Sequence, residues 1–468
     1  MTIADSVAGG PTILELAVAV GGRLVPGGGD RPFRGASIDS NATRPGAVFF
    51  AIPGKRTDGH RFVGAARARG AVAAVVQHAV KVPRGFPVIR VRSSEEALRR
   101  GGAWWRRRFH FPLVAVTGSN GKTTVKDLTA HLLQGIGKVV ATRGNFNNAL
   151  GVPLTLLDIS GRERAAVVEV AMNRPGEIRA LTKLASPTAG VVLNAGMAHA
   201  WKFRGPRAVA MEKMDLVAGL PEGGWAFLNA GDKAVWGMRT RTRARVLGFG
   251  MGKGEVRADG VRLDSGGQLL FNLATPTGKE RVRTRLLGAH NAVNVAAAAA
   301  VAWAFGVDAR DIAGRISRFT PSAAMRMERR KIRGGATAIL DCYNANPDSM
   351  RAALSFISAV HACGPVLVLG EMLELGAHSR GEHAAIGRMA AKLNPVLLVG
   401  VGPGAWPLVA SARASGVHEA LWVRTGLDAL EAVADASSGA GVVLLKGSRA
   451  VRLEQLADAL TVGGGNAV

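Results

Sequence analysis

Short apolar runs bounded by glycine and proline recur in the first 110 residues, at Ala47 to Ile52, Val72 to Val76 and Val88 to Val91. The pattern predicts strands of a small α/β unit. A second rhythm opens at Pro112, with an apolar strand from Leu113 to Val116, a glycine-rich turn, and a helix that sets Val125, Leu128 and Leu132 on one face. Further strands are expected at Val139 to Ala141, Ala165 to Val170 and Gly190 to Leu193, at helix-length spacing, which predicts a mainly parallel sheet. After Thr320-Pro321 the rhythm restarts at Ala338 to Leu340, Val366 to Leu369, Val396 to Val399 and Val442 to Leu445. The expected class is therefore α/β in three domains: a small N-terminal α/β domain over residues 1–110, a central parallel-sheet domain over 111–320, and a Rossmann-like C-terminal domain over 321–468. Gly463 to Val468 is expected to fray.

The length of 468 residues fits several cores better than one. The Ala-rich run from Val295 to Val307 falls short of the roughly 20 residues that cross a bilayer, and is expected to be a buried helix. Met1 to Gly10 lacks the basic and apolar regions of a signal peptide, so export is not expected. Two cysteines, Cys342 and Cys363, suffice for neither a disulfide framework nor a four-ligand zinc site, and a reducing cytoplasm fits.

Charge changes the picture. Sixty basic residues against 34 acidic ones give a formal net charge of +26, which favours polyanions, either nucleic acid or small phosphorylated substrates. Arg281, Arg283 and Arg285 alternate with Val282, Thr284 and Leu286, as in a strand with one solvated face. The run Trp104 to Phe111 interleaves aromatics with bases as single-strand binders do, yet it falls at the expected junction of the first two domains. Nucleic acid is therefore not the expected partner, and a nucleic-acid-binding ATPase is kept as the alternative that the charge leaves open.

Gly118-Ser119-Asn120-Gly121-Lys122-Thr123-Thr124 lies between a strand and a helix, the setting that a phosphate-binding P-loop requires. Glycines let backbone N–H groups approach phosphate, Lys122 neutralises it, the Thr123 hydroxyl reaches Mg²⁺, and the helix N-terminus adds its dipole. The pattern is not the standard one, which would need glycine at Val116. Glu169 and His199 follow the ends of neighbouring strands, where ligands of open parallel sheets bind. A carboxylate is a natural Mg²⁺ ligand, whereas an imidazole is a softer one and equally reads as a solvated histidine.

The order of four motifs resembles the Mur ligase family over nearly the whole chain: Gly118-x-x-Gly121-Lys122-Thr123-Thr124, Asn145-Phe146-Asn147-Asn148-x-x-Gly151-x-Pro153, Glu169-x-x-x-Asn173-x-x-Gly176-Glu177-Ile178 and His290-Asn291-x-x-Asn294. Three segments are similar to the branch of the family that adds D-alanyl-D-alanine: Ser37-Ile38-Asp39-Ser40 with Asp58-Gly59-His60, Asp341-Cys342-Tyr343-Asn344-Ala345-Asn346-Pro347, and Leu369-Gly370-Glu371-Met372-Leu373-Glu374-Leu375-Gly376. The resemblance implies ATP and Mg²⁺ as cofactors, with a UDP-N-acetylmuramoyl-tripeptide and D-Ala-D-Ala as substrates. The tripeptide carboxylate would become an acyl phosphate that the amine then attacks. The implied catalytic residues are Lys122, Glu169, His199 and Lys213; the implied metal ligands are Thr123, Glu169, His199 and Lys213 as a carbamate, a solvated lysine being the alternative for Lys213. Gly118 to Thr124, Asn291, Asn294, Arg326 and Asp341 would hold the nucleotide. Ser37, Asp39, Ser40, Asn147, Asn148, Tyr343, Asn344 and Asn346 would face substrate. A cytoplasmic monomer is expected. The sequence departs from the family pattern at Asn41, in the basic loop Ala200 to Gly205, and just before Arg326. A folylpolyglutamate-type or other Mur-type ligase with a different amine, and an inactive binding module, are the alternatives.

Overall fold

The computed structural model describes residues 10–25, 29–55, 57–196, 203, 205–321, 324–360 and 364–461. His199, Cys363 and the expected frayed tail lie outside them.

Three sheets follow one another along the chain. The first holds β1 (Arg23–Val25), β2 (Ala36–Ser37), β3 (Val48–Phe50), β4 (Ala73–Val76) and β5 (Val88–Arg90) in the order β1-β5-β4-β3-β2, with only the β1–β5 pair antiparallel. The central sheet comprises β6 (Leu113–Thr117), β7 (Val139–Ala141), β8 (Ala165–Glu169), β9 (Ala189–Val192), β10 (Trp225–Asn229), β11 (Arg245–Met251), β12 (Val256–Leu263), β13 (Gln268–Thr275) and β14 (Gly278–Leu287). Its order is β14-β13-β12-β11-β10-β9-β6-β8-β7. The third holds β15 (Glu328–Lys331), β16 (Thr337–Leu340), β17 (Val366–Gly370), β18 (Leu397–Val401), β19 (Ala420–Val423) and β20 (Val442–Lys446), ordered β15-β16-β20-β17-β18-β19.

Strands β6, β8 and β9 are buried on both faces, as continuous Val and Ala runs require when helices cover a parallel sheet. The helix Lys122–Leu133 covers one face through Val125, Leu128 and Leu132. The Ala-rich helix Asn291–Ala304 packs beside it, with Val295 to Ala302 fully enclosed; small side chains allow its close approach to the sheet. The mainly parallel central sheet ends in an antiparallel ladder, β12-β13-β14, of which only the β14 arginine pattern is foreseen from sequence. Arg281, Arg283 and Arg285 are exposed on this edge strand while Val282, Thr284 and Leu286 are buried.

The aromatic and basic run from Trp104 to Phe111 is used at the junction between the first two sheets. Trp105 is 3% exposed and donates its indole N–H to the Ile159 carbonyl at 2.8 Å. The guanidinium of Arg106, 4% exposed, reaches the carbonyls of Phe109, Ala185 and Ser186. A buried cation with several carbonyl acceptors is tolerable where an unpartnered one is not.

Asp158 sits at the same junction, below the helix Gly151–Leu157, within 3.3 Å of Arg143. A Cβ on Gly35 would lie 2.8 Å from its carboxylate oxygen, so glycine there lets the first domain close on the second. Burial pushes the Asp158 carboxyl up to about 6, and the charge of Arg44 offsets this only in part. The folded chain thus keeps a proton that the unfolded chain, at its ordinary value of 3.8, has lost, so this residue's contribution falls as pH rises from about 4 through 6. Asp158→Asn, which mimics the protonated form, is expected to stabilise the chain by about 1–3 kcal/mol at neutral pH and to be nearly neutral near pH 4. Urea denaturation at the two pH values checks this; equal effects at both would refute the assignment.

Candidate functional site

In the central sheet the chain runs from β6 outward to β7 and β8, then returns to β9 on the other side of β6. The crevice between the C-terminal ends of β6 and β9 is therefore the switch point at which open parallel sheets bind ligands. Gly118 to Thr124 follows β6, and Asn194 follows β9. A cavity of about 840 Å³ opens here, between the central and third sheets.

The loop after β6 is held from both sides. The Asn194 side-chain oxygen accepts the N–H groups of Ser119 and Asn120, each at 2.8 Å, and its amide donates to the Asn120 carbonyl. Gly121 has φ +85°, and a Cβ on it would lie 2.4 Å from the Asn294 side-chain oxygen. Only glycine meets both conditions. Asn294 in turn donates to Asn291, whose amide donates to the Leu287 carbonyl. These two asparagines brace the loop and line the cavity.

Charged groups converge on Thr123. Its hydroxyl donates to Glu169 at 2.9 Å and accepts from Arg326 of the third domain at 3.1 Å. Glu169, 2% exposed, also accepts the Asn147 amide at 2.8 Å. Lys122 donates to the Gly118 carbonyl at 2.8 Å. Desolvation lowers its pKa and the Arg326 charge lowers it further, against the opposing pull of Glu169. Lys213, in the helix Pro206–Ala218, is 2% exposed; burial, reinforced by the charge of Lys122, lowers its pKa to about 7, and Glu212 partly offsets this.

From the third sheet, Asp341 after β16 meets Lys446 at the end of β20, with Nζ 2.6 Å from the carboxylate. Tyr343 carries the Arg326 guanidinium 4.1 Å above its ring, and the Asn346 amide donates to Asn120 at 2.7 Å across the cavity. Asn344 lines the cavity as well.

Three family models match in sequence: the Mur ligase family catalytic domain over residues 32–101, the Mur ligase middle domain over 116–302, and the Mur ligase glutamate ligase domain over 325–449. The UDP-N-acetylmuramoyl-tripeptide--D-alanyl-D-alanine ligase of Mycobacterium tuberculosis H37Rv is 34% identical over 96% of this chain and 97% of its own length. That of Escherichia coli K12 is 33% identical over 97% and 99%. The chain belongs to the Mur ligase family. Among solved structures, MurF from Acinetobacter baumannii superposes with a TM-score of 0.85 at 30% identity, covering 96% of this chain and 98% of the other. MurF from Thermotoga maritima in complex with ADP gives 0.77 at 27% identity, over 91% and 97%.

In this Mur ligase the structure brings Ser119 to Thr124, Glu169, Asn147, Asn291, Asn294, Arg326, Asp341, Tyr343, Asn344 and Asn346 to one cavity. Gly118 underlies the loop, where a Cβ would lie 2.8 Å from the Leu193 side chain. Ser37, Asp39 and Ser40 lie apart, at the C-terminal end of β2. There Ser37 and Asp39 form a turn: the Ser37 hydroxyl donates to the Asp39 carbonyl, and Asp39 accepts the Asn41 N–H. Asn148 is occupied locally, accepting the N–H groups of Leu150 and Gly151. Lys213 is buried behind the loop and does not line the cavity.

Asn194 escapes the sequence reading of the site, and Lys446 enters it only through a segment similar to the family's last short motif, whose role could equally be packing the final helix. Asn194 is one polar residue after a strand, and Lys446 pairs with Asp341 across 105 positions. The segment Lys446-Gly447-Ser448-Arg449 does carry a signal, a cation at the end of an apolar strand. The Asp58, His60 and His78 side chains form the one compact group of metal-ligand type among the described residues, in the first domain. His60 accepts the Gln77 N–H on Nε2, so its proton sits on Nδ1 toward Asp58 and both nitrogens are engaged. This group therefore braces the Asp58-Gly59-His60 turn.

Asn194→Ala is expected to release the loop and weaken nucleotide binding about tenfold or more, with a thermal midpoint changed little. Calorimetric titration with ADP measures it; unchanged affinity would show that the loop holds its shape without Asn194.

Proposed function

We infer that this chain is an ATP-dependent ligase that joins D-alanyl-D-alanine to a UDP-N-acetylmuramoyl-tripeptide, a step of peptidoglycan precursor synthesis in the cytoplasm. One observation carries the reading: a P-loop, a buried carboxylate and a set of third-domain residues share one cavity, in a chain 31–34% identical over most of its length to ligases of that name. No helix among the described residues is long and apolar enough to cross a membrane, in keeping with nucleotide substrates met in solution.

The assigned roles follow from the chemistry of each group. Lys122 neutralises the phosphate oxygens as the two anions, γ-phosphate and peptide carboxylate, approach. The oxygen donors of Thr123 and Glu169 suit Mg²⁺, which supplies further charge neutralisation when bound. Arg326, stacked on Tyr343, and the Asp341–Lys446 pair carry the third domain onto the nucleotide. The amine substrate is assigned to the same side, near Asn344 and Asn346. The turn at Ser37, Asp39 and Ser40 and the side chain of Asn147 are assigned to the UDP-linked substrate. Closure excludes water from an acyl phosphate that would otherwise hydrolyse.

Lys213 is assigned as a carbamate. With its pKa near 7 a large share of the side chain is neutral amine at physiological pH, the form that attacks CO₂, and the product replaces a buried cation by an anion beside Lys122.

ADP release is expected only when the tripeptide nucleotide and D-Ala-D-Ala are both present, with a product heavier by one dipeptide. Release indifferent to both but stimulated by RNA would overturn the reading. Lys122→Ala is expected to lose at least about a thousandfold in kcat while keeping its circular dichroism spectrum. For Lys213, exposure to ¹³C-bicarbonate should give a carbamate carbonyl resonance that is missing in Lys213→Ala; its absence from the unmodified chain would remove the carbamate from the mechanism.

A further inference from the structure

The parallel strands of the central sheet present their C-terminal ends to the cavity, so their N-terminal ends form the opposite edge of the domain. Pairing aligns these ends: Val139 is beside Ala165, Leu113 beside Ala166, Val114 and Trp225 beside Ala189, and Arg245 beside Trp225. Six strands in register, at about 4.8 Å spacing, make an edge about 24 Å long.

The segments leading into three of these six strands carry exposed arginines. Arg107 precedes β6, Arg162 and Arg164 precede β8, and Arg241 and Arg243 precede β11, which begins at Arg245. All six are exposed. Their neighbours Arg108 and Lys138 are neutralised by Glu15 and Glu163. Among the described residues, the six have no carboxylate within the 4.0 Å of an ion pair. Glu222 stands on the same edge, and Glu163 is buried in its pair with Lys138. The cost of collecting like charges on one edge calls for a counter-charge.

We propose that this arginine edge docks the protein on an anionic phospholipid surface. Cations spread along one end of a domain can all meet a plane at once, and each contributes without any shaped pocket. Trp225, the first residue of β10, stands on this edge beside Arg245, as tryptophans do at membrane interfaces. Its ring is already engaged, by the Arg245 guanidinium at 5.6 Å and by Phe227 at 6.0 Å between ring centroids. The ring is thus less free to stack on nucleic-acid bases. Docked by this edge, the cavity at the far end of the sheet points into solution, where soluble substrates reach it. The proposal concerns location only and stands apart from the ligase reading.

Co-sedimentation of the full chain tests it, using phosphatidylglycerol–phosphatidylcholine vesicles against phosphatidylcholine alone, at low and high salt. Binding is expected on the anionic vesicles only, weakening with salt. The triple variant Arg241→Gln, Arg243→Gln, Arg245→Gln should lose about tenfold or more in affinity with ligase turnover intact. A variant removing the same charge elsewhere, Lys279→Gln, Arg281→Gln, Lys331→Gln, should change affinity by about twofold at most. No binding by the unmodified chain, equal losses in both triples, or tighter binding of RNA or DNA at matched phosphate through the same three arginines would each overturn the proposal.

Discussion

Everything at the active end of the molecule depends on keeping one buried carboxylate satisfied. Glu169 closes β8 with hardly any contact to water, and an ion in that position is costly unless hydrogen bonds and a nearby cation replace its hydration. Thr123 and Asn147 supply the hydrogen bonds, and Lys122 the charge. Three loops, after β6, β7 and β8, are thereby fixed relative to one another. This is why a sheet of ordinary Val and Ala strands ends in a rigid polar constellation.

The second sheet to reach this constellation does so with few contacts of high information. Arg326 and Asn346 bond directly to the phosphate loop, at Thr123 and Asn120. Neither bond lies in an apolar interface, and each can exchange a protein partner for phosphate or water at small net cost. An interface made this way favours closure without locking it, as a ligase that must admit three substrates and release its products requires. The Asp341–Lys446 pair is different: Lys446 is buried, and it also reaches the carbonyls of Asp341 and Asn344. It sets the backbone that carries Tyr343 and Asn344 before any ligand arrives.

What was legible in sequence was whatever rests on local pattern. Gly118 to Thr124 stood out because a strand and a helix flank it, and the Ala-rich helix because its apolar residues run all round. The first and third sheets likewise announce themselves as runs of Val, Leu and Ala between glycines. The ladder from β12 to β14 was mostly hidden, because strands such as Val256–Leu263 carry Arg and Asp on a solvated face and have little apolar content to count. Asn194 was hidden for another reason, and so was the pairing of Lys446 with Asp341. Each acts through a partner 74 to 105 positions away, and no spacing in the chain encodes that meeting. Asn148 adds a contact that no motif encodes: its side-chain oxygen accepts the backbone N–H groups of Leu150 and Gly151 and so shapes its own loop.

The net charge of +26 has no single cause, and its cations are used in different ways in different places. Some cations serve structure: Arg106 is buried among carbonyls at the first domain junction, whereas Arg283 and Arg257 are cancelled by Asp264 and Asp259 on the antiparallel ladder and add nothing to the net charge. At the cavity, Lys122, Arg326 and Lys446 are opposed by Glu169 and Asp341, so that end is nearly balanced until phosphates enter. Six further exposed arginines stand at the opposite edge, where the strands begin, while other exposed cations are spread over the rest of the surface. A parallel sheet makes such a division possible because its two ends are chemically independent: ligand-binding loops follow the strands, and the short connections that precede them are free to carry charge without disturbing the site.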